Sequence, residues 1–417
     1  MCSSDLHNSR PARASGRRRG VGCGARARRA AWGVVKSGSV GKAHRRGQRR
    51  KGAGAPVKFD YLRGPCDRMS AVSHPIEWPD AAREAAFHTW LAALAPAHGL
   101  RPDTLAPASA DASFRRYFRV LTADGGSRIV MDAPPPQEDV RPFVDIAARI
   151  ARAGLHGPEV LAADEAQGFL LLSDLGRTPY LAALREAEGP QVEALMRDAF
   201  KALVQWQGQV DPTGLPAYDE ALLRRELALF PEWCVQREFG ITWDEAQQGH
   251  WQRVCDALVA SALAQPTVAV HRDWMPRNLM VADPNPAILD FQDAVRGPVS
   301  YDVASMLRDA FISWDEEREI DWAVRYWERA RRAGLPVDAD FGEFWRQLEW
   351  MGLQRHLKVL GIFCRLKHRD GKPAYSADLP RFFAYATKVA LRYAPLKPLL
   401  LLLEPLQDAK VGAGYTF

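Results

Sequence analysis

The stretch VAVHRDWMPRNLMV, residues 268–281, sets a dense polar loop between two short apolar ends. Both ends are rich in β-formers, so the segment reads as strand, loop, strand. After the turn-forming Ala282–Pro286, a further apolar run, PAILDF at 286–291, carries an acid, Asp290, near its end. Asp273 and Asn278 are separated by four residues, and Asp290 lies 17 positions beyond Asp273. Moving a phosphoryl group needs a base beside the attacking hydroxyl and oxygen ligands that hold Mg²⁺ on the nucleotide phosphates. Asp273 suits the first task. Asn278, with a neutral amide oxygen, and Asp290, with a charged one, suit the second, and two adjacent strands would hold both rigidly. A solvated loop with Asp273 capping a turn accounts for the triplet His-Arg-Asp alone. It does not account for the Asn and the strand-borne Asp-Phe at these distances.

Around this loop the chain is 417 residues long, 47% apolar and 25% charged, which suits a soluble protein with more than one core. The net charge of +6 is unevenly placed. Residues 1–68 hold 18 Lys and Arg against 3 Asp and Glu, whereas the remainder holds 38 against 47. The folded part is therefore acidic, and no nucleic-acid partner is expected for the whole chain. Residues 1–68 are Arg, Gly and Ala without helical or strand period, and are expected to be disordered. They read as a transit peptide, as a basic arm, or as sequence upstream of a start at Met69. The third fits best, because globular sequence begins directly after Met69. The six Cys form no CxxC pair, which indicates a reducing compartment and no structural zinc. No apolar run reaches the roughly 18–20 residues that span a bilayer. A cytoplasmic monomer without membrane contacts is the expectation, with PLLLLLEPL (398–406) packed at the C-terminal end.

From Met69 onwards the periodicity gives helix (83–98), hairpin (RRYFRVL, ADGG, SRIVMDA), helix (140–153) and strand (167–176). Helices dominate from Gly176: 191–206, 300–311 with Ser300 as N-cap, 316–333 and 340–366. This is an α+β chain with a small sheet-containing lobe, 69–175, ahead of a larger helical lobe, 176–417. The cleft between them is the default ligand site.

The pattern H-R-D-x-x-x-x-N followed by D-F-x resembles the protein-kinase catalytic loop and metal motif. With ASFRRYFRV (112–120), VMDAPP (130–135), LLLSDLG (170–176), ILDFQDAVRGPVSYDVASMLRD (288–309) and LKVLGIFCRLKHRDGKPAY (357–375), the chain resembles the aminoglycoside phosphotransferase family, which has a two-lobed protein-kinase-like fold. More narrowly, these runs are similar to bacterial kinases that phosphorylate the anomeric hydroxyl of N-acetylmuramate and N-acetylglucosamine in peptidoglycan recycling. The resemblance implies ATP and Mg²⁺, Asp273 as base, and Asn278 and Asp290 as metal ligands. It implies a hinge at Leu171, Leu172 and Ser173, a phosphate-covering turn at Ser109–Arg116 that includes Ser113, and loop support from His271, Arg272 and Asp302. Two departures stand out. The strand RIVMDAPP has Met131 and Asp132 where kinases carry a Lys, so Arg115 or Arg116 is expected to meet the phosphates, unless both are outward-facing charges. The metal motif is DFQ, and Gln292 argues against a protein-kinase activation switch.

Recognition of an amino-sugar substrate is expected from Arg365, His368, Arg369 and Lys372, two of which could hold a carboxylate, with Trp233 of FPEWCV as an apolar platform. A solvated basic loop and a core Trp are the plainer alternatives. Two further readings stay open: a kinase of the same fold for an aminoglycoside or another alcohol, and a nucleotide-binding pseudokinase. The basic loop argues against a polycationic acceptor, and the intact Asp273, Asn278 and Asp290 argue against lost catalysis.

Overall fold

The computed structural model of the chain describes residues 76, 78, 80–110 and 114–413. The expectations for residues 1–68 and for Ser113 fall outside them. Helix α1 (Ala81–His98) starts where the Asp80 carboxylate accepts the Arg83 N–H and stops at Gly99 in the left-handed region, φ 61°. An antiparallel five-stranded sheet follows: β1 (Leu100–Ala110), β2 (Arg116–Thr122), β3 (Ser127–Asp132), β4 (Val160–Asp164) and β5 (Phe169–Ser173). Its spatial order is β1-β2-β3-β5-β4, and helix α2 (Arg141–Arg152) is inserted between β3 and β4.

Sequence periodicity anticipates α1, β2, β3, α2 and β5 but misses β1 and β4. Strand β1 contains Pro102 and Pro107, which erase the strand signal. An edge position tolerates residues without an N–H donor, and two register shifts absorb them. Strand β4 is the other edge and has no fully buried residue, so it lacks a burial pattern to read. One sheet face, with Phe118, Val120, Val130, Phe169 and Leu171, packs on Phe87 and Leu91 of α1. The other face contributes Met131, Leu170 and Leu172 to a core shared with α2 and continued by Trp206, Trp274 and Phe291.

The remainder is mainly helical: α3 (Tyr180–Glu186), α4 (Pro190–Gln209), α5 (Glu220–Leu229), a π-helical stretch Phe230–Glu238, α6 (Glu245–Leu263), α7 (Tyr301–Leu307), α8 (Glu316–Arg332), α9 (Phe341–His368), α10 (Leu379–Arg392) and α11 (Pro398–Ala413). Between α6 and α7 lie two small antiparallel pairs, β6 (Thr267–Val270) with β9 (Val295–Pro298) and β7 (Leu279–Met280) with β8 (Ala287–Ile288). The run PAILDF is strand only at Ala287–Ile288. Helix α7 ends at Leu307, four residues short of the expected 311. Ser300 occupies its N-cap position without capping it, because its hydroxyl donates to the buried Gln265 amide oxygen at 2.6 Å.

Helix α9 positions much of the site. At Gly361 an added Cβ would come within 2.4 Å of the Leu229 backbone, so glycine permits a close crossing over the end of α5. That crossing brings Gln354 and Lys358 of α9 to Glu226 of α5. Leu399, Leu402, Leu403 and Leu406 of α11 are buried in the core built with α5, α6, α9 and α10.

Candidate active site

The loop after β6 is held from three sides. His271 is fully buried, edge-on to Trp206 and Trp274 at 5.2 and 5.5 Å, and its Nδ1 accepts the Asp273 N–H at 3.3 Å. Burial pushes this imidazole down to about 4, so it is a neutral ring. Asp302, also fully buried, lies in the first turn of α7 and accepts the backbone N–H groups of His271 (2.7 Å) and Arg272 (3.0 Å). Burial raises its carboxyl to about 7, against the pull of those two donors. Arg272 adopts φ 75°, a conformation that side-chain-bearing residues seldom hold without support. The support is an ion pair from its Nη2 to Glu226 at 2.7 Å. Glu226 accepts further bonds from Tyr218, from Gln354 at 3.2 Å and from Lys358 at 3.2 Å. Burial pushes this carboxyl up, but Lys358 and Arg272 outweigh it and hold it at about 2.

Asp273 is left half-exposed, with Nη2 of the buried Arg355 3.6 Å from its Oδ1. Asn278 donates through Nδ2 to the Asp273 carbonyl at 3.0 Å and to Asp290 Oδ2 at 3.2 Å. Gln292 donates to the other Asp290 oxygen at 2.8 Å, and the Leu289 N–H donates to the Asn278 carbonyl at 2.8 Å. The structure thus brings Asp273, Asn278 and Asp290 together. One neutral and one charged oxygen ligand, leaving most positions to phosphate and water, suit Mg²⁺. Among the described residues no group of three or more His, Cys, Asp or Glu is placed to hold a metal ion.

A cleft of about 500 Å³ opens beside these ligands, lined by Tyr117, Ile129, Leu172, Ser173, Met280 and Asp290, among others. Three expectations are corrected here. Leu171 turns to the α1 side, and its backbone lies within ladders to β3 and β4, so it cannot read a base. The first residues past the ladder are Asp174, Leu175 and Gly176, which also line the cleft. Arg116 alternates away from the cleft: it pairs with the buried Asp132 and lies 4.3 Å over Trp78, while Tyr117 and Arg119 face the cleft. Arg115 sits 3.8 Å from Glu138 and is not among the cleft-lining residues. Met131, at the strand position without a Lys, is buried in the core with α2, so apolar packing stands in place of a strand–helix ion pair.

The loop after α9 is largely neutralised. Lys367 and His368 both meet Glu238, at 2.8 and 2.7 Å, and Arg369 pairs with its neighbour Asp370. Arg365 is half-buried with an unpartnered Nε. Lys372 precedes the 3₁₀ stretch Pro373–Asp378. Trp233 packs on the C-terminal core with Arg237 5.9 Å over its ring, rather than lining the cleft. Sequence reasoning missed Glu226, Arg355 and Arg277, the last of which lines the cleft. One signal was present: Arg355 and Lys358 interrupt the apolar run MGLQRHLKVLGIF, and charge inside a buried helix calls for a partner.

The phosphotransferase enzyme family matches residues 104–341. A Pseudomonas aeruginosa protein named N-acetylmuramate/N-acetylglucosamine kinase is 51% identical, the match covering 78% of this chain and 98% of that protein. A Neisseria meningitidis protein of the same name is 46% identical over 80% of this chain and 99% of its own length. A solved choline/ethanolamine kinase family protein from Mesorhizobium loti, 16% identical, shares the fold at a TM-score of 0.51 over 77% of this chain and 99% of that one. So does the gentamicin-APH(2")-IIa complex, 12% identical with a TM-score of 0.51, over 75% and 97%.

Proposed function

The chain belongs to the phosphotransferase enzyme family, and on that premise we propose that it transfers the γ-phosphoryl group of ATP to the C1 hydroxyl of N-acetylmuramate or N-acetylglucosamine. The observation that carries this reading is the near-full-length identity of about half to relatives named for those sugars. The site geometry supports it. Asp273, exposed at the loop tip and steadied by Arg355, takes the hydroxyl proton. Asn278 and Asp290 would hold Mg²⁺, which neutralises charge on the phosphates when bound. The anomeric hydroxyl is more acidic than an ordinary alcohol because the ring oxygen withdraws charge. A carboxylate therefore suffices as base, and positioning supplies most of the barrier reduction. In this reading residues 69–175 bind the nucleotide, and residues 176–417 carry the loop, the metal ligands and the sugar site. The enzyme acts as a cytoplasmic monomer in peptidoglycan recycling. Arg365, in the last turn of α9, and Lys372 beyond it remain the cations offered to the acceptor.

The test is product structure. Phosphorus–carbon coupling to C1 is expected, together with no turnover of the methyl glycoside and none of an aminoglycoside panel. Coupling to C6, or phosphorylation of the methyl glycoside, overturns the anomeric assignment.

A further inference from the structure

We propose that Arg277 is the cation that meets the terminal phosphates of the nucleotide in this chain, in place of the strand lysine; the inference rests on reading the cleft as an ATP site. Triphosphate oxygens beside two carboxylates, Asp273 and Asp290, call for a cation besides the metal. The sheet does not offer one. Met131 occupies the strand position and is buried among apolar groups. Arg116 is turned to Asp132 and Trp78 on the far face. Arg115 is held near Glu138. Arg119 does line the cleft, but its guanidinium is bound to the Asp174 carboxylate and the Gly176 carbonyl, at the hinge end.

Arg277 differs in place and in partners. It belongs to the 3₁₀ turn Pro276–Asn278, so its backbone is fixed one residue from a metal ligand. It lines the same cleft as Asn278 and Asp290. Among the described residues its guanidinium makes no ion pair or hydrogen bond; it lies over the Phe311 ring, 4.6 Å from the centroid. A cation–π contact of this kind steadies the guanidinium without a carboxylate partner, so its charge is not cancelled by an acid and can meet phosphate oxygens. Arg177 also lines the cleft, two residues before the bridge between Pro179 and Met280, so it is the cation against which Arg277 has to be tested.

The experiment is calorimetric titration of adenosine, ADP and ATP, with Mg²⁺ and without acceptor sugar, on the full chain and on Arg277→Met, Arg277→Lys and Arg177→Met. For Arg277→Met, ATP affinity is expected to fall about 10-fold or more, the scale of one charged hydrogen bond, with adenosine affinity unchanged. Arg277→Lys should recover part of the loss. In turnover assays kcat/KM for ATP should fall in parallel while KM for the sugar holds. Equal losses for adenosine and ATP overturn the inference. So does unchanged ATP affinity with a raised sugar KM, or a phosphate-dependent loss that follows Arg177→Met instead. A parent chain that binds none of the three nucleotides overturns the kinase reading and this inference with it, whereas the other adverse outcomes overturn this inference alone.

Discussion

The triplet His-Arg-Asp occurs twice in this chain, at 271–273 and at 368–370, and the two copies are treated in opposite ways by the fold. In the first, the imidazole is buried, the arginine is held at φ 75° by Glu226, the backbone is bound by Asp302, and the aspartate is the most exposed of the three. In the second, at the end of α9, the histidine is exposed and paired with Glu238, and the arginine binds the aspartate next to it. Self-pairing between neighbours cancels the charge that chemistry would use. A buried partner from another helix leaves Asp273 available. A short motif is therefore chemistry only where distant residues satisfy its other members.

Substitutions can break this comparison. The largest effect is expected at the aspartates. Asp273→Asn should lower kcat about 10²–10⁴-fold, the usual contribution of a general base, with nucleotide affinity retained, whereas Asp370→Asn should leave turnover unchanged. Similar losses in steady-state assays of both variants would make the second triplet part of the site.

The supporting acids come next. Glu226→Gln leaves Arg272 and Lys358 without their buried anion and should cost about 3–5 kcal/mol in denaturant unfolding. Glu238→Gln, whose partners are about a third exposed, should cost less than about 1 kcal/mol. Equal midpoints for the two variants would remove the distinction between a buried and a solvated partner.

Acid sensitivity sharpens the same contrast. Burial holds His271 at about 4 and His356 at about 3, while histidine in an unfolded chain titrates near 6.5. Between those values the unfolded chain takes up protons that the native chain refuses, so stability falls as pH drops below about 6.5. Asp302, raised to about 7, has the opposite sign, since its ionisation costs stability as pH rises towards 7. The histidine contribution is therefore read as a difference: His356→Gln should flatten the fall in melting temperature between pH 7 and pH 5 relative to the parent. Parallel slopes would exclude a buried neutral imidazole there.

Asp273, Asn278 and Asp290 were legible because their spacing lies within one loop and the strand pair that follows it, where separation along the chain nearly dictates separation in space. Helices α1, α2, α4, α8 and α9 were legible for the same reason, since periodicity is local. Strands β1 and β4 were not, because prolines interrupt the first and the second buries too little to leave a pattern.

The amino-acid order thus determined the phosphotransferase loop, its candidate metal ligands and the lobe order. Tertiary structure alone decided which cation faces the cleft. The sequence offered Arg115 or Arg116, and the register of β2 turns Arg116 to Asp132 and puts Arg119 on the cleft side, bound to Asp174, 55 residues away. A one-residue slip would exchange the two faces. Tertiary structure also decided that Arg272 is answered by Glu226, 46 residues earlier, because that pairing depends on where α5 meets the loop and where α9 crosses above it. No local pattern encodes such a crossing; it follows from the packing of side chains far apart in the chain.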